Sequence, residues 1–177
     1  MTMKMKWVPF AGIAATALIA PAHAATYFTV AQAQAALFPG VQFQAAPLQL
    51  SAEDRAALLA ASGVHEPFDG AGIWRVSSGG WFITDTVVGK HEKIRYAVGL
   101  DAGGKVIGIE ILEYNETYGY QVRDASWRKQ FVGKTAHDPV QLNKDIRNIS
   151  GATLSCKHVT DGVHRVLALY ERRLRRP

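Results

Sequence analysis

The sequence predicts an α+β fold in which an antiparallel β-meander sheet is packed by helices, two of them N-terminal and a long one C-terminal. Three observations carry this. From Gly72 to Tyr114, runs rich in β-branched and aromatic residues follow one another, separated by glycine-bearing turns. Before them lie two short segments with helix-start and helix-stop signals; after them a stripe of apolar residues recurs at steps of three and four. At 177 residues, 48% hydrophobic and 20% charged, the chain is long enough to bury one core without disulfides or structural metal.

In chain order, Lys4 and Lys6 precede an apolar stretch from Trp7 to Ala20, followed by Pro21 and the small-x-small run Ala22-His23-Ala24. This is the form of a signal peptide over 1–24, cleaved after Ala24, and it places the protein in the periplasm. The competing reading is an uncleaved anchor, but the stretch is shorter than the roughly 20 residues a spanning helix needs. Residues 25–177 then read as a single domain with an N-terminal helical extension. Thr29-Val-Ala-Gln32 has the form of a capping box, with a helix to about Leu37. Ser51-Ala-Glu-Asp54 starts a second helix carrying Ala56, Leu58 and Leu59, and Gly63 is placed to end it.

The strands are expected at Ile73–Val76, Trp81–Val88, Lys93–Leu100 and Lys105–Tyr114, with hairpin turns at 77–80 and 101–104. In the last strand, alternation puts Val106, Gly108, Glu110 and Leu112 on one face and Ile107, Ile109, Ile111 and Glu113 on the other. Asp124 to Phe131 reads as a short helix ended by Gly133. From Cys156 the residues Val159, Val163, Val166, Leu167 and Tyr170 form the apolar stripe of the final helix.

Composition narrows the chemistry. The single cysteine, Cys156, excludes an intramolecular disulfide, a two-cysteine redox motif and cysteine-based haem attachment. The six histidines form no pair with metal-ligand spacing, so no metal site is expected; His91, beside Lys90 and Lys93, reads as a loop residue. No Walker or dinucleotide fingerprint and no Gly-x-Ser-x-Gly elbow occurs, which leaves a hydrolase using Ser150 or Ser155 weakly supported. The formal charge of +5 falls to +3 without the two leader lysines. Much of that excess lies in Arg172, Arg173, Arg175 and Arg176, either a solvated helix end or a docking patch for an acidic partner or for anionic lipid head groups in peripheral membrane association. No nucleic-acid partner is expected of an exported chain.

Two features remain. Ser150-Gly151-Ala152-Thr153 opens the final helix; it reads either as a cap supplied by Ser150 or Thr153, or as a phosphate seat where small residues let an anion approach the helix N–H groups. Glu113-Tyr-Asn-Glu116-Thr117-Tyr118-Gly119-Tyr120 combines acids and aromatics at a strand end and reads either as core and rim or as the wall of a flat, polar-edged ligand.

Ile149-Ser150-Gly151-Ala152-Thr153-Leu154-Ser155 resembles the flavinylation motif of the FMN-binding domain family, which includes the peripheral flavin subunits of the sodium-pumping NADH:quinone oxidoreductase and of the Rnf complex. Glu116-Thr117-Tyr118-Gly119 resembles that family's upstream Glu-Thr-Pro-Gly segment, and the order of elements from Gly72 to Tyr170 matches. The resemblance implies FMN joined by a phosphoester to Thr153, attached by an exported flavin transferase that uses FAD and magnesium. Ser150, Gly151 and Ala152 would shape the phosphate turn, and Glu116, Thr117 and Gly119 would flank the flavin. It further implies electron transfer with a membrane-bound or periplasmic redox partner, as a carrier more than a stand-alone catalyst. Arg147 stands where the family commonly has an acid, with Asp145 two residues upstream, and Tyr118 stands where it has proline. The alternative is a non-redox envelope module holding FMN or another small ligand non-covalently.

Overall fold

The computed structural model describes residues 25–68 and 70–175. The predicted leader and its cleavage site lie outside these residues, as does Arg176. Among the described residues, strands β1 (Ala25–Thr26), β2 (Phe43–Ala45), β3 (Ile73–Val76), β4 (Trp81–Val88), β5 (Lys93–Leu100) and β6 (Val106–Tyr114) form one antiparallel sheet in the order β1-β6-β5-β4-β3-β2. The β3 to β6 meander follows the sequence expectation. The two short edge strands do not, since two or three residues carry no readable alternation.

Both faces of the sheet are covered. The long helix α4 (Thr153–Leu169), continued by a π-helical turn at Tyr170–Leu174, packs on one face, where Cys156, Val159, Val163, Val166 and Leu167 meet Ile83, Tyr96, Val98 and Ile109. Helix α1 (Val30–Leu37) covers the other, where Ala33 and Phe38 join Phe82, Ala97 and Leu112. Strict alternation along β6 fails. Arg95 pairs with Glu113 but Tyr96 with Ile111, and Gly99 pairs with Gly108 but Leu100 with Val106, so Leu112 and Ile107 are bulged. Each bulge shifts the side-chain phase by one. Val106, Ile109, Ile111 and Tyr114 therefore share the α4 side, while Leu112 and Ile107 turn toward α1.

Helix α2 (Ala52–Ser62) starts with the expected capping box between Ser51 and Asp54 and ends at Gly63. Its buried stripe is Asp54, Leu58 and Ser62, whereas Leu59 is exposed. The reason is electrostatic: Asp54 accepts hydrogen bonds from Arg172 at 2.6 Å and from Arg173, and Arg172 also reaches Glu53 at 2.7 Å. With Arg175 on Glu171 at 2.6 Å, the described arginines of the C-terminal end are engaged in ion pairs that tie α4 to α2 and its own last turn.

A second ion pair is buried. Arg165 on α4 holds both carboxylate oxygens of Asp85 on β4 at 2.7 to 3.0 Å and donates to the carbonyls of Glu66 and Thr86. Tyr96 donates to Asp85 at 2.6 Å, and the Thr86 N–H donates to it at 2.7 Å. The carboxylate is thus satisfied on both oxygens, which is what makes a charge tolerable at this depth. It locks α4 against the sheet.

Candidate functional site

The final helix begins without a side-chain cap. Ala152 occupies the N-cap position at φ −120° and ψ 16°, and no side chain bonds to the first-turn N–H groups. The capping reading of Ser150 and Thr153 is therefore overturned: Thr153 is the first helical residue, exposed, and its Oγ1 accepts a 2.9 Å hydrogen bond from Asn148 Nδ2. Gly151 turns the chain at φ +84°, with nothing within 4 Å of where a Cβ would stand. Gln130 receives the Arg147 N–H at 2.9 Å and Trp127 donates to the Arg147 carbonyl at 2.8 Å, so the approach to the motif is fixed by the short helix α3 (Ala125–Arg128) and the 3-10 turn after it. Arg147 itself is exposed. Asp145 cannot stand in for an acid at that position, because it binds the Val140 and Gln141 N–H groups and Lys134.

The opposite wall comes from the end of β6. Tyr114 donates its hydroxyl hydrogen to the Tyr118 carbonyl and shares a 2.9 Å hydrogen bond with buried Ser155 on the first turn of α4. Burial pushes the Tyr114 phenol up from its ordinary value, so it stays a donor at neutral pH. Gly119 lies in the same junction at φ +89°, and a Cβ there would stand 2.7 Å from the Tyr114 hydroxyl and 2.9 Å from Ser155 Oγ. Glu116 Oε1 accepts the N–H groups of His91 at 2.6 Å and Glu92 at 2.9 Å in the β4–β5 turn. Burial works against its charge, but these N–H bonds hold the carboxyl below the usual range.

Between the walls is an open cleft of about 380 Å³, lined by Lys90, His91, Glu116, Thr117 and Tyr118 on one side and residues 151–155 on the other. The structure thus brings Glu116, Thr117, Gly151, Ala152 and Thr153 to one place. Gly119 underpins the cleft without lining it, and Ser150 is exposed beside it. Nothing in the sequence pattern marks Lys90 and His91 as site residues. A larger open groove of about 820 Å³ lies between α2 and the end of α4, walled by the Asp54 ion pairs, apolar residues such as Ala57 and Ala61, and His137 and His164, and it contains none of the motif.

The cleft fits a phosphate-bearing flavin on two counts. Its volume lies in the range of small-molecule sites, about 300 to 1,000 Å³. The uncapped helix start offers N–H donors and a positive dipole end to an anion.

Residues 89–168 match the family model of the FMN-binding domain, a span that begins in the β4–β5 turn, ends in α4 and includes both walls of the cleft. The chain is thus similar, over this stretch, to the FMN-binding domain. It is similar to one component of the Na(+)-translocating ferredoxin:NAD(+) oxidoreductase complex of Acetobacterium woodii, at 28% identity over 157 residues, covering 81% of this chain and 73% of that protein.

Proposed function

We propose that this chain is an exported flavoprotein that carries FMN as a phosphoester on Thr153 and passes electrons between a membrane reductase and a periplasmic or extracellular acceptor. The observation that carries the reading is the exposed Thr153 hydroxyl at an uncapped helix start, opening onto a cleft walled by Glu116 and Thr117. A bound flavin supplies the redox chemistry. The residues of this chain position it: the first-turn N–H groups face the phosphate, Asn148 orients the Thr153 oxygen, and the Tyr114–Ser155 bond fixes the distance between the walls. Attachment by an exported transferase requires the leader at 1–24 to deliver the chain. Among the described residues no helix is long and apolar enough to cross a membrane, and the name of the Acetobacterium woodii relative suggests a membrane complex as the partner.

Intact mass of the full chain, co-expressed with a flavin transferase, tests the proposal. The expected result is an FMN-sized adduct that disappears in Thr153→Ala. A chain that stays unmodified, or an adduct that survives the substitution, rejects covalent attachment at Thr153. Exposed Arg147, with Asp145 already engaged, favours the second reading, a non-redox module that holds FMN reversibly. Yellow colour lost on denaturation would select it.

A further inference from the structure

The β4–β5 turn is held more tightly than a hairpin needs. Its own closing bond runs from the Gly89 N–H to the Glu92 carbonyl at 2.8 Å. In addition, Glu116 takes the N–H groups of His91 and Glu92 from one side, and His158 Nδ1 on α4 binds the Gly89 carbonyl at 2.8 Å from the other. The carbonyl only accepts, so the imidazole carries hydrogen on Nδ1. The fit is close: a Cβ on Gly89 would stand 2.6 Å from Glu116 Oε1. Two side chains from separate elements thus clamp a four-residue turn, and what that turn presents to the cleft is Lys90 and His91.

We propose that Lys90, presented beside His91, forms a cationic wall of the flavin site, that Glu116 and His158 hold the turn there as positioning residues, and that this wall favours the reduced flavin. The inference rests on the flavin reading above. When two electrons from the reductase and one proton reach the oxidised ring, it gains one negative charge. A lysine on the cleft wall, beside the positive end of α4, is placed to stabilise that charge. Of the acids around the turn, Glu116 lines the same cleft with its Oε1 taken by the His91 and Glu92 N–H groups, and Asp161 is paired with Lys157 at 2.5 Å.

The test is the flavin's reduction equilibrium in the full chain loaded by the transferase, read by dye-linked redox titration. Lys90→Gln is expected to shift the equilibrium toward the oxidised form about three- to tenfold, with tenfold equal to about 30 mV for a two-electron couple. Lys90→Glu is expected to shift it further. Lys93→Gln, on the same hairpin but not lining the cleft, is expected to move it less than twofold. Equal shifts at positions 90 and 93, or no shift at 90, would overturn the proposal while leaving Thr153 attachment intact. If the wild-type chain carries no adduct, the same variants are titrated with free FMN by fluorescence quenching, where weaker binding in Lys90→Gln than in Lys93→Gln supports the wall. A wild-type chain that neither forms the adduct nor binds FMN removes both readings.

Discussion

At the scale of single residues, the site depends on side chains whose work is indirect. Gly119→Ala would place a methyl group against the Tyr114 hydroxyl and Ser155 in a left-handed backbone conformation. We expect it to cost about 1–3 kcal/mol in urea unfolding and to reduce flavin loading together, because one junction serves both. Arg147→Asp restores an acid at the position where related motifs carry one, and its fixed backbone should not move. The expected outcome is a larger mass-shifted fraction under the same co-expression. Thr153 and its small neighbours were legible in the sequence, since a hydroxyl after Ser-Gly-Ala at a helix start is a local pattern. The absence of a cap was not, because it depends on the helix starting at Thr153, which puts Ala152 and not a hydroxyl residue at the N-cap. Glu116 was expected beside the Ser-Gly-Ala-Thr motif and lines the same cleft, but its bonding was not legible, because it is decided by a turn some 24 residues upstream.

At the scale of elements, α4 is held at both ends and in the middle. Arg165 sits fully among protein partners, and removing it leaves Asp85 buried with only Tyr96 and Thr86 to satisfy it. Arg165→Met should therefore cost about 3–5 kcal/mol, measured as a shift in the denaturant midpoint. Strands β4 to β6 and α4 were legible because their patterns run over eight or more residues, whereas four-residue β3 was legible from its β-branched and aromatic content and the glycine-bearing turn after it. The β6 bulges were not, because a bulge is a property of the pairing with β5 and not of the strand. The prominence of Lys90 and His91 follows from the meander itself. In such a sheet the β4–β5 turn and the C-terminal end of β6 lie at the same end of the strands, so topology brings residues 90–91 and 116–118 together.

At the scale of the whole molecule, carboxylates tie the peripheral segments to the core. The Arg172 guanidinium, with the Ser51 N–H and Arg173, holds Asp54 well below the usual carboxylate range, and the Thr135 N–H does the same for Asp138. A carboxyl whose folded pKa is depressed contributes stability that is complete above its unfolded value, near 4, and is lost as pH falls through the folded value. Thermal melts should therefore show this contribution intact at pH 5 and declining below about pH 4, with Asp54→Asn flattening the decline. The uncapped start of α4 has a consequence for maturation. A good N-cap is worth about 0.5–2 kcal/mol, and the chain forgoes it at the helix that spans its core. A phosphate on Thr153 would supply that cap from outside the genetic code, making the modified chain the better-folded one. In a chain of this size the loaded form should melt a few degrees higher than the unloaded form, so that a protease would distinguish finished molecules from unfinished ones by stability alone.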